Sequence, residues 1–429
     1  MLIVNDSKKG ESKMTKKIFK NKFVIAVAIL LLFLLATTIT KSPQTYGRSV
    51  VIGVGLDKQD GQYLFSTQIL EPKINQGFAD NLQVYGATGE NCLEAMEKLT
   101  VDIGKIAGLG NTSVIVLSQE IAEEGISSFL DFFIRSNRLN DNPLLVVTKD
   151  SAQQLLLDIS KVDASFSLNL NSLSKFNGIE PSSQFCTMEK FLNNYYGGTT
   201  ATIVGQINEY QNSKEGLAIK NELSSSSTGQ TPDGGGGGGG GGQNADNKSI
   251  ENNGTSSLFV SDKQVATLSA EEIRGFSECI GSTRGTYTLQ NVSDEFYDNA
   301  TVVVSVKQKV SSVDYKFSKN GIPRVMYNFK YILKVENVIQ NGNMDLLLDS
   351  SKNYLTNALV AKFKEKVKQS IASSINLAKE YNADAFGAQS GFLKFQTKKW
   401  KNYVSKLADK SKAFQNVEFF VDISVNGVF

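Results

Sequence analysis

Histidine is absent from all 429 residues. That absence removes Ser-His and Cys-His nucleophile activation, His-ligated metal sites and the commonest general base together. Cysteine is nearly as scarce, with only Cys92, Cys186 and Cys279. An odd number precludes complete internal pairing, and the wide separations fit no zinc or redox spacing, so the three read as buried free thiols. An excess of charge is lacking too, since 45 Lys and Arg against 43 Asp and Glu leave a formal +2. Composition therefore gives no electrostatic reason to expect nucleic acid as a partner. Neither a P-loop nor a complete G-x-G-x-x-G is present, and Gly53-Val-Gly55 stops after two glycines and reads as strand. Ser172 and Lys175 have the Ser-x-x-Lys spacing of some acyl-enzymes, but no Lys-Thr-Gly or Ser-Asp-Asn accompanies them, and chance supplies such a match. Paired carboxylates for glycoside chemistry need only be close in the fold. No pair is marked, and Glu271 and Glu272 read as helix N-terminal charges. No catalytic, cofactor-binding or metal-ligating residue is assigned, and binding is favoured over catalysis.

Against these absences stand nine consecutive glycines, Gly234 to Gly242. Glycine carries maximal backbone entropy and no side chain to bury, so the tract reads as a joint between two bodies that fold separately. From Ser224 to about Gly254 the residues are mainly Ser, Gly, Asn, Asp and Gln, the composition of a disordered linker. At the other end Lys13, Lys16, Lys17, Lys20 and Lys22 precede the uncharged run Phe23 to Ile39. Its length is at the lower end of what crosses a hydrocarbon core of roughly 30 Å, so a spanning helix and a cleaved signal peptide are both open. Ala36-Thr37-Thr38 offers a poor cleavage site, which favours retention, with the body outside by the positive-inside rule. The basic residues that cluster are those before this run. The expected organisation is a basic cytoplasmic tail (1–22), an anchor helix (23–39), an N-terminal domain (47–212), a flexible linker (213–256) and a C-terminal domain (257–429) divisible into two subdomains.

Periodicity supplies the elements. Val50 to Leu56 and Tyr63 to Leu70 are strand-like runs joined by turn residues ending in Gly61, a hairpin signal. Cys92, Leu93, Met96, Leu99 and Ile103 recur at helical spacing. Val114 to Leu117 reads as a buried strand, Ser118 as the cap of a helix from Gln119, and Ile126 to Ile134 as a further helix. Leu144 to Thr148 is a strand, with Asp150 capping a helix through Leu157. Met188 to Tyr196 is a helix and Thr199 to Asn208 a strand. Past the linker, Ser257 to Val260 and Gln264 to Leu268 form a second hairpin. Ser269 and Glu272 make a capping box for the helix Ala270 to Ile280. Val302 to Val310 and Val325 to Val335 alternate as long antiparallel strands. Asp345 to Tyr381 carries Leu355, Leu359, Phe363, Val367, Ile371 and Ile375 at intervals of four, a stripe that drifts around a long helix. Trp400 sits in an amphipathic segment before a last strand, Val417 to Val425. The expected fold class is α+β: an anchor followed by two or three mixed α/β domains, the last with an antiparallel sheet packed on a long helix.

The order of these pieces is similar to that of a known family. Ile52-Gly-Val-Gly-Leu-Asp57-Lys58, Asp60-Gly61-Gln-Tyr63 and Gln68-Ile-Leu-Glu-Pro72 resemble the opening of the Ger(x)C family, the C subunits of nutrient germinant receptors in spore-forming bacteria. Val114-Ile-Val-Leu-Ser-Gln-Glu120-Ile-Ala122 through Gly125-Ile126, Leu130-Asp-Phe-Phe-Ile-Arg135 and Leu145-Val-Val-Thr148 resemble its middle signature. Leu258-Phe-Val260 with Asp262-Lys263, Glu272-Ile-Arg274-Gly275, and Ala383-Asp384-Ala385-Phe386-Gly387 before Trp400 follow in the family's order. The resemblance implies a non-catalytic receptor subunit at the outer face of the spore inner membrane. It would act with a large membrane A subunit and a transporter-like B subunit, without a cofactor, and whether it touches nutrient stays open. Family members are typically lipoproteins with a lipobox cysteine. None lies between Ile39 and Val50, so the resemblance leaves the apolar helix as the anchor. The polyglycine insertion is a second departure. Arg274, Gly275, Asp384 and Gly387 read as cap, turn and packing positions. The alternatives are an exported, membrane-anchored binding or scaffold protein unrelated to germination, or a carboxylate-dependent cell-envelope hydrolase.

Overall fold

Asp60 and Gly61 both take positive φ, 51° and 79°, the backbone of a tight hairpin turn that Asp and Gly tolerate. They join β1 (Arg48–Gln59) to β2 (Gln62–Leu70), the expected hairpin. The computed structural model describes residues 29–30, 48–71, 82–136, 142–162, 184–197, 201–210, 249–251, 255–281, 283–340, 343–345 and 354–427. Of the expected anchor only Ile29 and Leu30 fall within these. Among the described residues no helix is long and apolar enough to cross a membrane. Ser172, Lys175 and the glycine tract also lie outside the described residues.

After the hairpin come β3 (Leu82–Gly89), α1 (Cys92–Ile103), β4 (Ile106–Gly108), β5 (Val114–Ser118), α2 (Gln119–Glu124), α3 (Ser127–Ser136), β6 (Leu144–Thr148) and α4 (Ala152–Val162). Then follow β7 (Cys186–Thr187), α5 (Met188–Tyr196), β8 (Ala201–Gln206), β9 (Asn208–Tyr210), β10 (Ser249–Glu251), β11 (Ser256–Val260) and β12 (Lys263–Leu268). The main sheet runs β12-β11-β8-β6-β5-β1-β2-β3. Its four middle strands, β8, β6, β5 and β1, are parallel, and an antiparallel pair closes each side. Parallel strands are buried on both faces, so they read as continuous apolar runs. On β5, Ile115 and Leu117 face α1, α2, α3 and α5, whereas Val114 and Val116 face α4. Gly53 and Gly55 let α4 lie close, because a Cβ on Gly53 would sit 2.9 Å from Leu156 Cδ2. The helix cap expected from Asp150 falls instead to Ser151, whose Oγ accepts from Gln154 N at 3.3 Å, and to Asp57 on β1. Its carboxylate accepts from Ala152 N at 2.6 Å and Gln153 N at 2.8 Å. Burial pushes the Asp57 carboxyl up, and these amide hydrogen bonds pull it back.

The two separately folding bodies expected from the glycine tract are not what the ladder shows. β11 pairs antiparallel with β8 from Ser256 opposite Gly205 to Val260 opposite Ala201, and β10 pairs with β9. The tract therefore lies within a hairpin connection, and the chain returns to the sheet it left. The boundary expected between 256 and 257 falls inside β11. Composition marks the insertion but not which strands flank it, because closure entropy grows only logarithmically with length and even a long insertion leaves a ladder intact. By the same relation, deleting Gly234 to Gly242 is expected to change the unfolding free energy by only a few tenths of a kcal/mol. Urea denaturation of the deleted and full-length proteins measures it, and a loss above about 1 kcal/mol would assign the tract a structural role.

Beyond β12 come α6 (Ala270–Ile280), β13 (Thr286–Val292), β14 (Ala300–Phe317), β15 (Pro323–Gln340), β16 (Asn343–Asp345), α7 (Asn357–Glu380), α8 (Ala388–Phe395), α9 (Thr397–Ser405) and β17 (Glu418–Gly427). The expected capping box of α6 is present, Ser269 and Glu272 exchanging bonds. α7 begins after its cap Thr356, later than expected, and Asp345 belongs to β16. Leu359, Phe363, Val367 and Ile371 of the expected stripe are buried, and the burial then passes to Ser374 and Ala378 as the stripe drifts. The second sheet runs β13-β14-β15-β16. It is mixed rather than wholly antiparallel, since β17 pairs in parallel with β15 from Arg324 opposite Glu418 to Leu333 opposite Gly427. One apolar cluster runs from this sheet and α7 through Phe276 to Leu258, Ile203 and Ala201 of the first sheet. Ser49–Phe429 accordingly forms one compact unit.

Candidate functional site

α6 joins the two sheets, and its last turn carries the most concentrated polar chemistry of the described chain. Glu278 is fully buried. Its carboxylate accepts the hydroxyl of Tyr287, and that of Tyr331 at 2.5 Å, and lies 2.5 Å from the Lys309 ammonium. Lys309 is itself buried and donates to the Glu278 carbonyl, the last-turn oxygen a helix leaves unpaired. It also reaches Thr283 Oγ1 at 3.4 Å and lies 4.6 Å from the centre of the Phe329 ring. Burial, reinforced by the Glu278 charge, pushes the Tyr287 and Tyr331 hydroxyls well up, so both remain donors. Three donors converging on one buried carboxylate satisfy it and close it to substrate. The arrangement holds α6 against β14 and β15 as a clamp.

Lys309 reaches the core through a bulge. β14 presents Val302, Val304 and Val306 inward, and the register then shifts between Val306 and Gln308. One extra residue reverses which side chains face in, so Lys309, opposite Tyr331, points to the core where strict alternation would place it outside. Sequence reasoning missed Glu278, Tyr287, Lys309 and Tyr331 for that reason, and because an ion pair distant in sequence leaves no spacing signal.

Next to the clamp, Gly275 sits where α6 crosses α7, and a Cβ there would lie 2.1 Å from the Ser370 carbonyl oxygen. Ser374 donates to the Glu272 carbonyl at 2.6 Å, and Glu271 bonds Lys366 at 2.8 Å and Ser370 at 2.5 Å. Glu272 is thus a cap as expected, whereas Glu271 ties α6 to α7. Although burial acts to raise it, those two partners hold the Glu271 carboxyl below its usual value. Arg274 lies 4.6 Å from the Tyr287 ring centre. Asp384 is buried and accepts from Ala388 N at 2.8 Å and Gln389 N at 2.7 Å, and Gly387 takes φ 69° at the start of α8. All four sequence-highlighted residues therefore hold cap, turn or packing positions.

Elsewhere, α1 and α3 border a half-open cleft of about 640 Å³ lined by Tyr63, Leu93, Met96, Phe132 and Arg135. Arg135 is paired with Asp131 at its rim, 2.7 Å away. The three cysteines are free. Burial pushes the thiol of Cys92 up to about 11 and that of Cys186 to about 12, and raises that of the half-buried Cys279 as well.

Residues 47–208 match the family model described as "Spore germination protein N-terminal domain". Residues 254–426 match "Spore germination B3/ GerAC like, C-terminal". The chain belongs to the Ger(x)C family. Spore germination protein KC of Bacillus subtilis (strain 168) is 23% identical over 166 residues, 36% of this chain and 41% of that protein. The chain thus spans about two fifths of the length of that curated relative. The crystal structure of the GerBC protein aligns with 88% of this chain and 97% of its own, at TM-score 0.49 and 14% identity. In this Ger(x)C protein the second matched region opens with β11 and β12, strands that complete the sheet of the first.

Proposed function

We propose that this chain is the non-catalytic C subunit of a nutrient germinant receptor. Its body stands outside the cytoplasmic membrane at the outer face of the spore inner membrane, held by the run Phe23 to Ile39. There it works with a large A subunit and a multi-spanning B subunit to turn nutrient binding into germination. Support comes from the match of both germination regions in one chain. The observation that carries the mechanism is their interlacing. β11 and β12 complete the first region's sheet, and Glu278 and Lys309 lock α6 to the second. A body joined in this way transmits a displacement from one partner to another as a unit, which is what a receptor scaffold requires.

Spores lacking the protein are expected to fail to germinate on at least one nutrient while responding normally to treatments that bypass nutrient receptors. The loss of optical density after each stimulus measures both. Normal germination of the null strain on every nutrient would overturn the reading. Peptidoglycan hydrolysis by the purified chain would replace it with the hydrolase.

A further inference from the structure

α8 and α9 form a corner whose charge differs sharply from that of the whole chain. Between Ala388 and Phe414 seven lysines occur, Lys394, Lys398, Lys399, Lys401, Lys406, Lys410 and Lys412, against one carboxylate, Asp409. All seven are exposed. Asp409 is engaged locally, accepting from Ser411 N at 3.0 Å and Ser411 Oγ at 2.6 Å. Among the described residues no ion pair links any of these lysines to a carboxylate. The apolar residues of the corner divide into two sets. Phe392 and Trp400 stack at 4.9 Å and are buried, and Phe392 also packs edge-on against Tyr315 and Phe317, which fixes the two helices against the end of the long β14–β15 hairpin. Leu393 and Phe395 on the same α8 turn stay 45% and 60% exposed, one face of the Phe395 ring stacking on Tyr315 at 5.7 Å. The Lys394 ammonium lies 5.2 Å from the Phe395 ring.

We infer that this corner is a docking surface for an anionic lipid bilayer, with the lysines on the headgroups and Leu393 and Phe395 entering the interface. Unpaired lysines are attracted to the negative surface potential of anionic lipid within about a Debye length. A phosphate polymer or an acidic peptide would use the lysines but gives no return for two large exposed apolar side chains, whereas the headgroup–acyl boundary accepts them. The corner also lies in a chain whose lysine-flanked apolar run is proposed to hold it beside a membrane, and the inference rests on that reading. Contact here would orient the body and restrict how far it swings. Lipid contact at the corner is separable from germination, because it can be read in purified proteoliposomes.

The chain contains a single tryptophan, Trp400, one side-chain layer beneath this surface, so it serves as the probe. Full-length protein is reconstituted into vesicles containing phosphatidylglycerol with brominated acyl chains, and into brominated phosphatidylcholine vesicles. Trp400 emission is expected to be quenched in the anionic vesicles and far less in the zwitterionic ones, with the difference erased by high salt. Reversing Lys394, Lys398 and Lys399 to Glu is expected to lower the ratio of docked to undocked protein by on the order of a hundredfold. Leu393→Ser with Phe395→Ser is expected to reduce quenching while the salt dependence remains. Circular dichroism checks that each variant keeps the fold. Equal quenching in both lipids, or quenching that survives the charge reversal, overturns the inference. Release from the anionic vesicles by an oligonucleotide at equal phosphate concentration does so as well, and would make nucleic acid the occupant.

Discussion

Lys309→Met is expected to lower the unfolding free energy by about 3–5 kcal/mol, because it leaves the Glu278 carboxylate buried without its counter-charge. Both groups are at most 1% exposed, so water cannot take the place of the ammonium. The same change also uncovers the carbonyls of Glu278 and Gly281 at the end of α6, which Lys309 now satisfies. Combining Lys309→Met with Glu278→Gln should recover a large part of the loss, since the neutral amide accepts one tyrosine hydroxyl with its oxygen and donates to the other with its NH2. Urea denaturation of the wild type, both single variants and the double variant closes the cycle. A cost below about 1 kcal/mol for Lys309→Met would mean that the ion pair does not hold α6.

Expressed alone, residues 47–212 are expected not to form a soluble, cooperatively folding domain. Removing β11 exposes the inner edge of β8 along five paired positions, and an uncovered edge strand recruits other chains. It also removes Phe259, which packs edge-on against Phe191 at 5.4 Å, and Leu258. Each such buried side chain is worth roughly 1.5–3 kcal/mol, a large share of the marginal stability of a domain. Co-expression of 47–212 with 249–429 is expected to restore solubility and to give a pair that elutes together. For the same reason a protease cut within 211–248 should leave a nicked protein whose two fragments separate only in denaturant. A monomeric 47–212 fragment with a cooperative thermal transition would show that the first region folds by itself.

Much of the local structure was legible in the residues. The Asp60–Gly61 turn, the Ser118 cap, the helix Met188–Tyr196 and the Ser269–Glu272 capping box all depend on neighbours within a few positions, and each appears where local chemistry puts it. The ordered signature pieces also located the family. Ser151 rather than Asp150 is the local cap of α4, joined by Asp57 from another strand, and α7 starts at Asn357, later than the periodicity suggests. In sequence the lysine-rich end shows only an amphipathic segment around Trp400, because overall charge near balance conceals a patch formed where one sign collects.

The sequence alone therefore determined the things set by composition and short spacing: the absence of imidazole chemistry, the identity of most strands and helices, the glycine-rich insertion and the family. The tertiary structure decided which elements join. It returned the chain after the glycines to the sheet it had left, laid β17 parallel to β15, and turned Lys309 inward through a one-residue bulge to meet Glu278. Each of these rests on backbone pairing between residues far apart in the chain. Hydrogen bonds of that kind are made by the same N–H and C=O groups in every residue, so the side-chain order carries little record of which strand will be the partner.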